Sequence, residues 1–94
     1  MKNLDQAKVT IRYCPRCKWL LRAGWYAQEL LSTFSDDLTE VSLVPSSDAG
    51  IFTIEIGDAM LMDRKVDGFL EAKEIKRRIR DHIDPERSLG HIDS

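Results

Sequence analysis

The residues of this 94-residue chain best suited to chemistry are two cysteines, in the sequence Cys14-Pro15-Arg16-Cys17. The chain contains no other cysteine. A cysteine thiolate is both a nucleophile and a metal ligand, and two thiols at this spacing can form a reversible disulfide. The loop between them is too short to restrict an unfolded chain much, so a purely structural cross-link is not expected. The pair must therefore act as a redox couple, as half of a metal site, or as two inert core thiols.

A zinc site would need two further ligands besides Cys14 and Cys17. The two histidines, His82 and His91, are spaced too widely for the usual paired zinc ligands, and no second Cys-x-x-Cys is present. We therefore predict no metal. Burial as inert thiols stays open, because a free cysteine is often simply a core residue. Reversible redox chemistry is the interpretation that the pattern favours.

The segments on either side of the motif place it between a strand and a helix. Residues 8–13 alternate between polar and apolar side chains, which predicts a half-buried strand. From Cys17 to Phe34 the apolar residues recur every three or four positions, which predicts an amphipathic helix. The free N–H groups and the positive dipole end of such a helix would stabilise a thiolate.

Three neighbours are predicted to adjust the reactivity of the two thiols. Pro15 removes one backbone donor and stiffens the turn. Arg16 and Lys18 add positive charge, which favours the thiolate over the thiol. The predicted site therefore consists of Cys14 and Cys17, with Pro15, Arg16 and Lys18 as tuning residues.

The rest of the chain predicts three more strands, at about residues 38–44, 51–56 and 59–65, and a last helix at about 70–83. The order is β-α-β-β-β-α. The first two strands should be parallel, and the Gly57-Asp58 turn should join the last two as a hairpin, giving a mixed four-stranded sheet. One side of the alternating strands is polar, so both helices should cover the other face of this α/β two-layer sandwich. We expect one domain over residues 1–94, with its core at about 7–83 and a polar tail at 84–94.

Composition narrows the classes of partner and location. The net charge is -2 and the sequence pI is near 5.6, so we expect no nucleic-acid partner. No apolar run approaches the ~20 residues of a membrane helix, so no membrane partner is expected. Residues 1–8 include Lys2, Asp5 and Lys8 and lack the apolar run of a secretory signal, which predicts a cytoplasmic protein.

A Cys-x-x-Cys beside a β-α-β unit indicates a thioredoxin-like redox motif, and the sequence also resembles a known family. It is similar to the selenoprotein W-like family (the SelT/SelW/SelH or Rdx group), in particular its cysteine-containing bacterial members. The main matching segments are Val9-Thr10-Ile11-Arg12-Tyr13-Cys14-Pro15-Arg16-Cys17, Gly50-Ile51-Phe52-Thr53-Ile54 and Asp63-Arg64-Lys65. The resemblance implies a thioredoxin-like fold and a thiol–disulfide oxidoreductase that serves cell redox homeostasis, with no bound cofactor and with glutathione as a candidate co-substrate.

The resemblance leaves the attacking sulfur open. In thioredoxins the first cysteine of the motif attacks, which would be Cys14. In selenocysteine-containing members of the family, selenium occupies the position of Cys17, which implies that Cys17 is the more reactive group. Either Cys14 or Cys17 can therefore be the attacking sulfur.

The partners follow from the same interpretation. A thiol- or disulfide-containing protein, or glutathione, is the expected partner, and a homodimer through an open sheet edge is a further option. Trp19 lies two residues beyond Cys17 and is either a packing residue or part of an aromatic rim that docks a partner. The alternative function is a redox-sensing interaction module, in which the motif changes binding without turnover.

Overall fold

The secondary-structure elements follow the predicted order in a computed structural model that describes residues 7–86 and Leu89. Two short elements were not predicted: a 3-10 turn after the first strand and a four-residue helix after the fourth strand. The elements are β1 (Lys8–Tyr13), the 3-10 turn (Pro15–Cys17), α1 (Leu20–Thr33), β2 (Glu40–Pro45), β3 (Phe52–Ile56), β4 (Ala59–Asp63), α2 (Arg64–Asp67) and α3 (Ala72–Ile83).

The four strands form one mixed sheet in the order β2-β1-β3-β4. Strand β1 lies parallel to β2 and antiparallel to β3, and its Ile11 pairs with Leu43 on one side and Ile54 on the other. Strands β3 and β4 are antiparallel and are joined at Gly57, whose φ of 54° suits a Gly-first hairpin turn. The predicted sheet and hairpin are confirmed.

Helices α1 and α3 pack on the same face of the sheet, which confirms the two-layer, thioredoxin-like α/β arrangement. The core between the layers is fully buried and aliphatic at its centre. Its members include Val9, Ile11, Ile54 and Ile56 from the sheet, Ala23 and Leu30 from α1, and Ile75 and Ile79 from α3. The opposite face carries ion pairs between neighbouring strands, Lys8 with Glu40 and Arg12 with Glu55.

The predicted start of the first helix at Cys17 is wrong. The N–H of Lys18 donates to the Pro15 carbonyl at 3.0 Å, which closes a 3-10 turn instead of an α-helical one. Lys18 then adopts a left-handed conformation, with φ 62° and ψ 38°. A right-handed helix cannot pass through such a residue, so α1 begins only at Leu20, after Trp19 as its N-cap.

Three other predicted boundaries differ in the structure. The second strand, predicted at about 38–44, runs over Glu40–Pro45, because the Leu38 N–H donates to the Phe34 carbonyl in the turn after α1. The fourth strand was expected to continue to Lys65, but it ends at Asp63 because the Asp63 carboxylate accepts a hydrogen bond from the Lys65 N–H and caps α2. The last helix was expected from Leu70 but begins at Ala72, since Glu71 is extended and acts as its N-cap.

Part of the chain falls outside this description. The predicted polar tail at 84–94 is described only at residues 84–86 and at Leu89, which packs against the core. The N-terminal residues 1–6, which entered the prediction of location, also lie outside it. Among residues 7–86 and Leu89, no helix is both long and apolar enough to cross a membrane.

An aromatic cluster around Phe52 attaches the beginning of α1 to the sheet. Phe52 is fully buried on β3, and its ring lies 6.0 Å from Trp19, 5.8 Å from Tyr26 and 5.1 Å from Phe69, measured between ring centroids. The Tyr26 hydroxyl donates to the Leu70 carbonyl, which ties α1 to the segment before α3. Because Trp19 lies only two residues after Cys17, this cluster also helps to hold the motif in place.

Replacing the central ring of this cluster should therefore be costly. We expect Phe52→Ala to lower the free energy of unfolding by about 3 to 5 kcal/mol, because it leaves a cavity against three rings. Phe52→Leu should lower it by about 1 to 2 kcal/mol. Urea unfolding of the reduced protein, followed by circular dichroism, measures both losses.

Leu21→Ala is the control, since Leu21 is 86% exposed. It should change the free energy of unfolding by less than about 0.5 kcal/mol. Equal losses in Phe52→Ala and Leu21→Ala would contradict the structural role of the aromatic cluster.

Candidate functional site

The two cysteines lie in contact at the end of β1. The Cys17 thiol donates a hydrogen bond to the Cys14 sulfur, with the two Sγ atoms 2.7 Å apart. Both are free thiols, and a disulfide, with its S–S bond of about 2.05 Å, needs only a small side-chain adjustment. Cys14 is 1% exposed, whereas Cys17 is partly exposed. The structure therefore brings the two predicted reactive residues together and gives them different access to solvent.

The contact between the sulfurs separates their acidities. Chiefly because it accepts the Cys17 S–H, Cys14 has its pKa lowered to about 7, and the backbone N–H of Gly50 contributes next. The same hydrogen bond raises the pKa of Cys17, since Cys17 must keep its proton to donate it. Burial acts against the thiolate at both sulfurs but does not cancel the donors at Cys14. The pair thus shares one proton near neutral pH.

The other donors come from a segment distant in sequence. The Cys14 N–H donates to the Ile51 carbonyl at 2.9 Å, which places the motif beside residues 50–51. Gly50 has a φ of +75°, which a residue with a side chain adopts only at a cost. Its N–H contributes to the lowered pKa of Cys14 and partly opposes the rise in the pKa of Cys17. The Gly50 carbonyl accepts two hydrogen bonds from Arg64, from Nη2 at 2.8 Å and from Nε at 3.2 Å.

Gly50 and Arg64 were missing from the predicted site. Nothing in the local pattern marks them, because they act only through contacts with residues far along the chain. The one available signal was the family resemblance, which includes the segments 50–54 and 63–65. The pKa of Cys17 is raised overall, chiefly by its hydrogen bond to Cys14, and the positive charge of Arg64 makes a smaller opposing contribution.

The predicted tuning residues lie within the 3-10 turn or at its end. Pro15 is its first residue, as expected for a residue without an N–H. Arg16 contributes its backbone N–H to the lowered pKa of Cys14, while its side chain donates to the Ser47 carbonyl at 3.2 Å. Lys18 is exposed and ends the turn. Tuning by the side-chain charges of Arg16 and Lys18 stays a prediction.

The predicted helix N-terminus does not supply the donors. Since α1 begins at Leu20, three residues after Cys17, its first N–H groups are not those that support Cys14. The N–H groups of the 3-10 turn and of Gly50 take their place. The expected kind of stabilisation is present, but it comes from a tight turn and a neighbouring loop.

Trp19 is partly buried and packs at its edges. Its ring is perpendicular to Phe52 and to Phe69, at centroid distances of 6.0 and 5.2 Å. The guanidinium carbon of Arg64 lies 4.9 Å from the centre of the Trp19 ring, a cation–π contact. The structure thus assigns Trp19 a packing role, and its role in partner docking stays a prediction.

The residues that the structure describes hold no cluster of three or more His, Cys, Asp or Glu side chains arranged for a metal ion. His91, one of the two histidines whose spacing was compared with that of zinc ligands, lies outside the described residues. Two adjacent thiols, one of them with a lowered pKa, can carry out disulfide exchange at this site.

Comparisons with known proteins agree with this geometry. The sequence pattern of the Rdx family matches residues 8–81. A crystal structure of a protein from Bordetella parapertussis is 57% identical, with a TM-score of 0.77, and covers 81% of this chain and 96% of its own. The crystal structure of a selenoprotein W-related protein from Vibrio cholerae is 44% identical, with a TM-score of 0.79, and covers 82% of this chain and 96% of its own. Among curated proteins, nothing matches the chain.

The family match spans most of the chain and includes both cysteines, Gly50 and Arg64. The two similar structures extend over nearly their whole length, so the likeness is one of complete folds. The chain therefore belongs to the Rdx family and is related to selenoprotein W.

Proposed function

We propose that this protein is a thiol–disulfide oxidoreductase that reduces a partner disulfide and becomes oxidised to a Cys14–Cys17 disulfide. Membership of a selenoprotein W-related family supports a redox-related function. The observation that carries the finer proposal is the 2.7 Å contact between the two sulfurs, one of which has a pKa of about 7. A thiolate available at neutral pH, with a second thiol in contact, is what rapid disulfide exchange requires.

The different exposure of the two sulfurs supports different roles for them in this proposal. Cys17 is partly exposed and can reach a partner disulfide, whereas Cys14 is 1% exposed. As Cys17 attacks one partner sulfur, its proton passes along the existing hydrogen bond to Cys14. The partner S–S bond breaks, a mixed disulfide forms on Cys17, and the first partner thiolate leaves.

Cys14 then completes the reaction. It loses its proton to solvent or to the departed thiolate and attacks Cys17 Sγ, which breaks the mixed disulfide and releases the second partner thiol. The partner disulfide has gained two electrons, and the protein has lost two in forming the Cys14–Cys17 bond. A reduced thiol in excess restores the dithiol by the reverse exchange.

In this proposal the partner is a disulfide-bearing protein, or glutathione acts as the co-substrate. The reaction uses no resident cofactor. The corresponding biological role is redox homeostasis in the cytoplasm. Pairing through an exposed sheet edge, with a homodimer as the result, remains part of the proposal.

A specific surface favours a second candidate, a redox-sensing interaction module. On α1, Leu21 is 86% exposed and Trp25 is 46% exposed, and with Arg22 they line a shallow groove of about 470 Å³. Exposed apolar side chains around a groove are typical of a binding surface. In this case the cysteines would change partner binding without catalytic turnover.

Single cysteine variants should separate the roles of the sulfurs. With an aromatic disulfide probe, Cys14→Ser should form a stable mixed disulfide on Cys17, because the resolving sulfur is missing. Cys17→Ser should react at least about tenfold more slowly, because Cys14 is 1% exposed while the serine hydroxyl still donates a hydrogen bond to it. Intact mass spectrometry and the rate of probe release measure these outcomes.

The wild type, in the same assay, should release two probe thiols and end as an intramolecular disulfide. Faster reaction of Cys17→Ser than of Cys14→Ser would reverse the assignment of roles. Wild-type protein that binds partners in a redox-dependent way but shows no turnover with excess reduced thiol would replace the oxidoreductase with the interaction module.

The acidity of Cys14 predicts the dependence on pH. Its lowered pKa of about 7 means that the thiolate is lost as the pH falls below 7 and is nearly complete above about pH 8. The partly exposed Cys17 attacks by passing its proton to the Cys14 thiolate, so its rate of alkylation by iodoacetamide should rise to half its maximum near pH 7. Protein unfolded in guanidinium is the control, and its midpoint should return to about 8.5, the ordinary cysteine pKa. A native midpoint equal to the unfolded one would contradict the proposed thiolate.

A further inference from the structure

Residues 50–51 accept hydrogen bonds from two parts of the chain, and one of the donors, Arg64, lies outside the cysteine motif. Arg64 donates two hydrogen bonds to the Gly50 carbonyl, and the Cys14 N–H donates to the Ile51 carbonyl. Two consecutive carbonyls are thus held by donors from different parts of the chain. The N–H of Gly50 takes no part in these two contacts, and it favours the thiolate form of both sulfurs.

Arg64 is itself held in place by α2 and by an aromatic ring. The Asp63 carboxylate caps α2 by accepting the Lys65 N–H, and the Asp67 carboxylate accepts the Asp63 N–H, both at 3.0 Å. The Arg64 guanidinium lies over Trp19, which follows the motif. The side chain therefore joins three parts of the site, which are α2, the segment 50–51 and the residue leading into α1.

The other nearby cations are engaged differently. Arg16 Nη2 donates to the Ser47 carbonyl at 3.2 Å, and the Arg22 guanidinium carbon lies 4.2 Å from the centre of the Phe69 ring. Lys18 is exposed at the end of the 3-10 turn. Among these groups, Arg64 is the one whose charge acts on Cys17.

We propose that Arg64 is a positioning residue for the dithiol, holding the Gly50 carbonyl so that the Gly50 N–H faces both sulfurs and placing a positive charge beside Cys17. This role deepens the proposed function and rests on it, because it concerns the same thiols. Arg64 touches neither a substrate nor a reacting sulfur by hydrogen bond, and it acts through Gly50 and through its charge.

The consequence is a preference for the reduced, thiolate-bearing state. Donors and a positive charge stabilise a thiolate but offer little to a neutral disulfide. Arg64 should therefore make the Cys14–Cys17 disulfide a better oxidant. Its removal should raise the apparent pKa of the pair and make the disulfide harder to reduce.

Three variants test this role. Arg64→Gln removes the charge and shortens the side chain, and Arg64→Lys keeps the charge but loses the two-donor geometry. Arg12→Gln is the matched control, because Arg12 is exposed on the polar face of the sheet and pairs with Glu55. Iodoacetamide alkylation between pH 5 and pH 10 gives the apparent pKa of the pair for each variant. Equilibration at pH 8 with a glutathione redox buffer gives the fraction oxidised.

We expect Arg64→Gln to raise the apparent pKa by about half a unit to one unit, and Arg64→Lys to recover part of that shift. A one-unit rise corresponds to an about fivefold smaller equilibrium constant for reduction at pH 8, since the disulfide does not share in the lost stabilisation. Arg12→Gln should stay within about 0.2 units of the wild type.

An unchanged pKa in Arg64→Gln, or an equal rise in Arg12→Gln, would overturn the role of Arg64. Urea unfolding accompanies each measurement, and if Arg64→Gln does not fold, Arg64→Lys decides between the two outcomes. These readouts need no turnover. A wild type without disulfide exchange would therefore remove the proposed function, while the effect of Arg64 on the thiols would still be measured.

Discussion

A thiolate withdrawn from water must be matched by hydrogen-bond donors, and this constraint organises the site of the protein. Cys14 is 1% exposed, and yet its pKa is lowered to about 7. Burial alone would raise that pKa, since a charged sulfur is less stable away from water. The donors that overcome burial are the Cys17 thiol and the backbone N–H of Gly50, in that order. Each must be held in place by other residues, and much of the surrounding structure does this.

The scaffold meets the constraint by pairing strands that are distant in sequence. Because β1 and β3 are neighbours in the sheet, the end of β1 lies beside the residues that precede β3. The Cys14–Ile51 hydrogen bond continues this pairing one step beyond the sheet. The hairpin from β3 to β4 then returns the chain to α2, where Arg64 reaches the same segment. Where the motif leads into α1, the buried ring of Phe52 packs against Trp19 and holds it in place. The unequal exposure of the two sulfurs follows from this placement.

Local patterns predicted the elements well but not all of their ends. Alternation and helical spacing depend on which face is buried, and a single sequence records this directly. The ends depend on individual hydrogen bonds and dihedral angles. Lys18 enters the left-handed region and delays α1 to Leu20, while the Asp63 side chain caps α2 and ends β4. Lysine is not a residue that marks such a conformation, and an aspartate fits a strand end, a turn or a cap equally well.

The sequence by itself determined the reactive pair, because Cys14 and Cys17 are adjacent along the chain and their spacing suffices for a disulfide. It also determined that the sheet has one buried and one polar face. The resemblance over most of the chain identified the family. Only the tertiary structure decided which sulfur carries the thiolate and which one meets solvent. It also showed that Gly50 and Arg64 belong to the site. These properties depend on burial and on contacts across the sheet between residues far apart in sequence, and no local pattern contains that information.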